Sequence, residues 1–205
     1  MPLTRRHALT LLAGAALLPA RPAQARAIPV GEIDRYLNSF RTARAEFTQI
    51  NADGSISTGD LALRRPGRAR FDYDPPNRGL VIAGGGQVAV FDPVSNTRPE
   101  QYPLSRTPLS LILAERVDLG RSGLVRAHRA EGAGTTITLQ DPQNPQHGSI
   151  ELILTPDPVT LRQWVITDDT GTATTVILGD MATDVSLRAG IFSIPQELRA
   201  RGLSE

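Results

Sequence analysis

Residues 59–73 read Gly59-Asp60-Leu61-Ala62-Leu63-Arg64-Arg65-Pro66-Gly67-Arg68-Ala69-Arg70-Phe71-Asp72-Tyr73, and their period decides the fold. Leu61 and Leu63, then Ala69, Phe71 and Tyr73, stand at alternate positions on either side of a Pro-Gly pair. Alternation is the pattern of a strand with one buried face. Pro66 fixes one φ and Gly67 accepts the left-handed one, so the chain reverses between the two runs. The stretch is a β-hairpin with one apolar side.

The same period extends outward. Leu80 and Ile82, then Val88 and Val90, flank Gly84-Gly85-Gly86, while Ala52-Asp53-Gly54 and Asp74-Pro75-Pro76-Asn77 supply further turns. An antiparallel meander from Phe47 to Asp92 follows. A second group of strands runs from Leu124 to Leu187, with Ile137/Leu139, Ile150/Leu152/Leu154, Trp164/Ile166 and Val176/Leu178 on alternating faces. Asp168-Asp169-Thr170-Gly171 reads as a hairpin loop in that group.

Helical signals lie elsewhere. From Pro29 to Arg44, the residues Val30, Ile33, Leu37 and Phe40 form a helical seam. Thr107-Pro108 offers an N-cap and a first-turn proline to an apolar run, Leu109 to Ala114, that includes Leu111 and Ile112. Phe192-Ser193-Ile194-Pro195 leads to a closing helical turn, Gln196 to Arg201, stopped by Gly202. About ten or eleven strands make a sheet too wide to stay flat. Two or three helices are too few to cover it, so they plug its concave side: a mainly β (α+β) half-closed barrel that can hold a ligand.

The chain has 205 residues and is 40% apolar, sufficient for one domain. Residues 1–25 read as a cleavable export signal: Thr4-Arg5-Arg6 is its basic start, Ala8 to Leu18 its apolar middle and Ala23-Gln24-Ala25 its cleavage site. Residues 26–205 are then a single exported, periplasmic domain. The paired arginines fit twin-arginine export as well as general secretion. Cleavage removes Arg5, Arg6 and Arg21 and no acid, so the net charge falls from +1 to −2. Arginines scattered among acids with few aromatics give no footprint for nucleic acid.

Composition also closes catalytic routes. The chain has no cysteine, which excludes a thiol nucleophile, a disulfide and a lipidated cysteine anchor. All 22 basic residues are arginine, which excludes a Schiff-base lysine. His128 and His147 lack metal-ligand or triad spacing and read as solvated surface residues, and Asp157, Asp168, Asp169 and Asp180 as turn acids rather than a calcium loop. No enzyme, cofactor or metal site is expected. The apolar stripes are the remaining candidates, and periodicity does not separate a filled core from a cavity.

The order of landmarks does more. Phe47-Thr48-Gln49, Gly59-Asp60-Leu61, Arg65-Pro66-Gly67, Phe71-Asp72-Tyr73 with Pro75-Pro76, Leu80-Val81-Ile82, Val90-Phe91-Asp92-Pro93, Thr107-Pro108-Leu109, Trp164-Val165-Ile166-Thr167-Asp168 with Gly171, and Phe192-Ser193-Ile194-Pro195 follow one another in this sequence. That series resembles the LolA-type lipoprotein carriers across nearly the whole mature chain. The resemblance implies an incomplete antiparallel barrel of eleven strands under an α-helical lid. It also implies a monomeric carrier that takes acylated lipoproteins from an inner-membrane ABC transporter to an outer-membrane acceptor. A carrier or sensor for another lipid or glycolipid on the same fold is the alternative.

By the same resemblance, Arg65 matches an arginine that bonds lid backbone carbonyls, although Arg64 beside it would be the inward one if the register moved by one residue. Leu37 falls where the first helix meets the cavity, and Phe71 on the concave face. The expected cavity set is Leu37, Phe40, Leu61, Leu63, Phe71, Tyr73 and Ile82, continued by Val90, Leu111, Ile112, Leu139, Leu152 and Trp164. Phe71 and Ala62 stand where better-known members carry larger aromatics, and the tail after Pro195 is short.

Overall fold

The computed structural model describes residues 26–95, 97–120 and 123–203; the expected export signal and its cleavage site lie outside them. The first helix, α1 (Val30–Asn38), is followed by six strands: β1 (Thr42–Ile50), β2 (Ile56–Arg64), β3 (Arg68–Tyr73), β4 (Leu80–Gly84), β5 (Gln87–Phe91) and β6 (Glu100–Pro103). A short turn of helix and α2 (Leu109–Ile112) lead to β7 (Val125–Glu131), β8 (Gly134–Leu139), β9 (Ser149–Thr155), β10 (Thr160–Thr167) and β11 (Ala173–Leu178). The two-residue β12 (Ala182–Thr183) and α3 (Ile194–Ala200) complete the order.

The strands form one antiparallel sheet in the order β6-β5-β4-β3-β2-β1-β11-β10-β9-β8-β7, with β12 paired on β1. Each half is a meander of hairpins, and the pairing of β1 with β11 joins the halves. The edges, β6 and β7, do not pair, so the barrel is incomplete. The chain leaves one edge at Pro103 and enters the other at Val125. The segment between them packs Leu104, Leu109, Ile112, Leu113, Val117 and Leu119 into the same core as the strands' inward residues.

The turns form for the reasons their residues give. Gly85 and Gly86 have φ of +59° and +79°, the two left-handed positions of a tight hairpin turn between β4 and β5. Gly67, at φ +67°, closes the β2–β3 hairpin, in which Arg64 pairs with Arg68.

Two boundaries differ from expectation. The first helix stops at Asn38 rather than running toward Arg44, because Ala43, Ala45 and Phe47 alternate as the buried side of β1. Thr107 does not cap α2; its hydroxyl donates to the Leu104 carbonyl, and α2 is a single turn held by packing.

The sheet has two cores. The large one fills its concave side, where Ile150, Leu152 and Leu154 of β9 are fully buried. The small one lies on the convex side: Leu80 and Ile82 of β4 and Ala89 and Phe91 of β5 meet Ile194 of α3, with Leu198 packed against them. Ile82 therefore points away from the cavity, contrary to the sequence expectation. Its neighbours Val81 and Ala83 face inward instead. Strands β4 and β5 are covered on both faces, so their sequence is an apolar run whose alternation does not identify the inner side. The Phe192 carbonyl lies so close to Gly84 that any Cβ there would collide with it, and this fixes the C-terminal segment against β4.

Candidate functional site

The β2–β3 hairpin carries onto the lid an arginine, Arg65, that is the only buried one among the described residues. Arg65 is 6% exposed, and its Nη2 donates to the carbonyls of Leu37 and Phe40, the latter at 2.5 Å. The last carbonyls of any helix lack an intrahelical partner and carry the negative end of its dipole. Leu37 is in the last turn of α1, and Arg41, whose N–H would continue the helix, turns instead toward Asp184. A guanidinium at this place answers both deficits. It also lies 5.2 Å from the centre of the Phe40 ring. Burial, and secondarily the charge of Arg41, pull its pKa below the usual guanidinium range.

Arg64, by contrast, sends Nη1 to the Leu187 carbonyl on the outer side, at 3.2 Å. The hairpin loop itself adds a backbone bond, from Gly67 N–H to the Leu113 carbonyl at 2.8 Å. Arg65 and Gly67 thus hold the two parts of the lid from one short loop.

Those two parts are stitched together by residues that the sequence did not single out. Asn38 donates Nδ2 to the Val117 carbonyl at 2.7 Å and accepts from Val117 N–H at 3.0 Å. Asp34, one turn earlier on α1, accepts from Leu119 N–H at 2.8 Å. Arg41 reaches the Glu115 carbonyl at 3.0 Å. The signal was present: short polar side chains at i and i+4 beside an apolar seam are poor helix formers and seek backbone partners. Those partners lie about eighty residues away in sequence, which periodicity does not reveal. On the other flank, the Tyr36 hydroxyl accepts from Leu161 N–H at 3.1 Å, where β10 departs from regular register. His128 is exposed but not idle: its Nε2 lies 2.9 Å from the Ile28 carbonyl and holds the segment before α1.

Beneath the lid, Leu37, Phe40 and Ile112 from above meet Leu61, Leu63 and Trp164 from the sheet around a void of about 20 Å³. A water molecule needs roughly 10–15 Å³ on that measure, and ligand pockets run to about 300–1,000 Å³. With the lid down, the concave side is a nearly filled core. Ala43, Ala45, Leu161 and Met181 also line the void and were not anticipated. Of the two alanines, Ala43 falls inside the stretch expected to be helical, which ends at Arg44, and Ala45 just beyond it.

The remaining expected residues divide by depth. Phe71, Leu139 and Leu152 are buried in the inner core without touching the void, and Tyr73 and Leu111 are half-buried at its margin. Val90 pairs with Val81 on the inner face but is only half-buried and belongs to neither core. Phe71 stands edge-on to Phe47 and to Trp164, with ring centres 5.5 and 6.4 Å apart. Tyr73 donates to Gln49 at 2.7 Å, and burial pushes its hydroxyl pKa up to about 12. Among the described residues, no group of three or more histidine or acidic side chains is placed to hold a metal ion.

Comparison with known proteins adds to this geometry. A family model described as "Outer membrane lipoprotein carrier protein LolA" matches residues 38–195. Proteins named outer-membrane lipoprotein carrier protein are similar in sequence. One from Methylococcus capsulatus is 38% identical over 74 residues, 34% of this chain and 36% of that protein. One from Pseudomonas syringae pv. tomato is 30% identical over 131 residues, 60% of this chain and 63% of that protein. The chain thus matches less than two thirds of the length of these relatives. A solved LolA superfamily protein from Nitrosomonas europaea, 11% identical, aligns over 82% of this chain and 98% of its own with a TM-score of 0.42. The family model spans most of the chain, including every strand of the sheet and the segment 104–119 of the lid, and on that ground the chain belongs to the LolA family of outer membrane lipoprotein carrier proteins.

Proposed function

We propose that this protein is a periplasmic carrier that shelters the acyl chains of lipoproteins on its concave face between the inner and outer membranes. Residues 1–25 would be its export signal, an inner-membrane ABC transporter its donor and an outer-membrane protein or lipid its acceptor. The observation that supports the reading best is a barrel-wide apolar face closed by a lid that is fastened from one hairpin loop.

Energetics give the lid its purpose. In the closed form, the side chains of Leu37, Phe40 and Ile112 occupy the place that acyl chains would take. Lifting them exposes apolar surface at about 1.5–3 kcal/mol per side chain. One acyl chain of about fifteen methylenes returns roughly 0.8 kcal/mol for each methylene it buries. The lid and the cargo are therefore alternative occupants of one face, and the exchange between them is close to balanced when cargo arrives from another apolar phase. Arg65 tips that balance toward the closed form, since a hydrogen bond from a charged group contributes about 1.5–3 kcal/mol. No covalent bond is made or broken.

The test is to purify the protein from the periplasm without detergent and to identify bound material by mass spectrometry. Triacylated N-terminal peptides are expected. Glycolipid or phospholipid alone would assign the fold to a different cargo.

A further inference from the structure

Among the described residues, three buried side-chain nitrogen or oxygen atoms have no hydrogen-bond partner: Trp164 Nε1 and the Nε and Nη1 of Arg65. All three are donors, and both residues line the same void. Around them stand apolar side chains such as Leu61, Leu63, Ile112 and Leu161, so the protein offers these donors no acceptor. An indole N–H buried without an acceptor costs about 1–3 kcal/mol, and a phenylalanine would fill much of the same space without that penalty. Trp164 is 2% exposed, set inward between Leu152 of β9 and Val176 of β11, and its position is fixed by the sheet rather than by the lid. Its N–H stays in place when the lid lifts.

We infer that Trp164 Nε1 is a binding residue for an uncharged carbonyl, the ester carbonyl that joins an acyl chain to its glyceryl group. A cavity that presents donors and no acceptors selects a ligand with acceptors and no donors. An ester meets that description and a bare alkyl chain does not. Charge selects further at Trp164 itself: a phosphate drawn down to the indole would exchange its hydration for one neutral N–H, whereas an ester carbonyl gives up little. The ester is thus held at the floor while the chain lies along the inner face. This rests on the carrier reading and adds to it what the cavity recognises besides length of hydrocarbon.

Trp164 is the chain's single tryptophan, so its own emission reports the event. The probes are a synthetic diacylglyceryl-cysteine peptide and its dialkyl ether counterpart, which differ only in the two carbonyls, titrated into the mature protein. The ester peptide should bind roughly fivefold to tenfold more tightly than the ether, as expected for one neutral hydrogen bond. Trp164→Phe, followed by displacement of a fluorescent fatty-acid probe, should lose that preference and leave ether binding unchanged. Infrared spectra of carbonyl-labelled ester peptide on the wild-type protein should show one carbonyl band at lower frequency than in hydrocarbon, which covers the case of a Trp164→Phe protein that does not fold. Equal binding of the two peptides with an unshifted band would overturn the inference and leave the carrier standing. Failure of both peptides to bind the wild-type protein would overturn inference and carrier reading together.

Discussion

The two faces of this sheet are each fastened by an arginine, Arg65 buried and Arg70 half-buried, and the two are treated differently. On the convex side, Arg70 uses all three of its nitrogens: Nε and Nη2 form a paired contact with Asp72 at 2.7 and 2.8 Å, and Nη1 meets Glu197 at 3.1 Å and the Ile191 carbonyl at 3.0 Å. Glu197 in turn binds Arg201, whose guanidinium lies 4.9 Å from the centre of the Phe91 ring. On the concave side, Arg65 uses one nitrogen of three, bonds only to neutral carbonyls and leaves two nitrogens without a partner. The convex attachment is closed in charge and in hydrogen bonds, so α3 behaves as part of the sheet. The concave attachment is incomplete, which makes the lid the element most easily exchanged for something else.

That contrast predicts how substitutions divide between stability and exchange. The largest loss of stability should come from the convex core: Ile82→Ala leaves a cavity under α3 and should cost about 2–5 kcal/mol in chemical denaturation, with acyl-probe binding unchanged. Reduced probe binding in a folded Ile82→Ala protein would return that residue to the cavity. Arg70→Met comes next. It leaves Glu197 partly buried with one partner fewer and should cost about 1–3 kcal/mol, with α3 loosened first. Proteolysis at the C-terminal segment would register the loosening.

Arg65→Leu should lower global stability by about 1–2 kcal/mol, because the lost bonds to the lid are only partly offset by relief from burying an incompletely partnered guanidinium. On the carrier reading proposed above, its main effect should appear in transport: the lid closes less well behind departing cargo, and loaded carrier should accumulate. Arg64→Leu, whose side chain goes to the Leu187 carbonyl on the outer side, should transfer cargo normally. If Arg64→Leu jams and Arg65→Leu does not, the latch is assigned to the wrong arginine.

The smallest effect concerns acid. Burial pushes the Glu197 carboxyl up, but the hydrogen bonds and charges of Arg201 and Arg70 outweigh it, and the net pKa lies below the ordinary 4.5. A depressed carboxyl stabilises the fold above its unfolded pKa and loses that contribution as pH falls through the folded one. Acidification below about pH 4.5 should therefore weaken α3 before the sheet, as resolved by carboxyl titration in NMR. A Glu197 pKa above 4.5 would contradict the ion-pair account of the convex face.

The turns and the alternation were legible because they are local. Gly85-Gly86, Pro66-Gly67 and the stripe of Ile150, Leu152 and Leu154 each carry their own conformational reason. What the sequence hid was non-local. Phe40 continues the seam of α1 by spacing, yet it lies beyond the helix, and only the pairing of Thr42 with Arg64 marks where the strand begins. Ile82 was misplaced because α3 covers the outer face of β4, which removes the polar alternation that would have shown the inner side. The choice between Arg64 and Arg65 depended on one residue of register at the hairpin end. Asp34 and Asn38 showed nothing of their partners across the lid.

The central claim is that α1 and residues 113–119 open as one unit whose closure depends on Arg65. Hydrogen exchange tests it most directly, comparing the wild-type protein with Arg65→Leu. Amides of α1 and of residues 113–119 should exchange together and at least about tenfold faster in Arg65→Leu, the effect of losing one charge-assisted bond. Those of β9, β10 and α3 that exchange by local fluctuation should be unchanged. Uniform acceleration across the protein, or α1 opening without residues 113–119, would contradict the account.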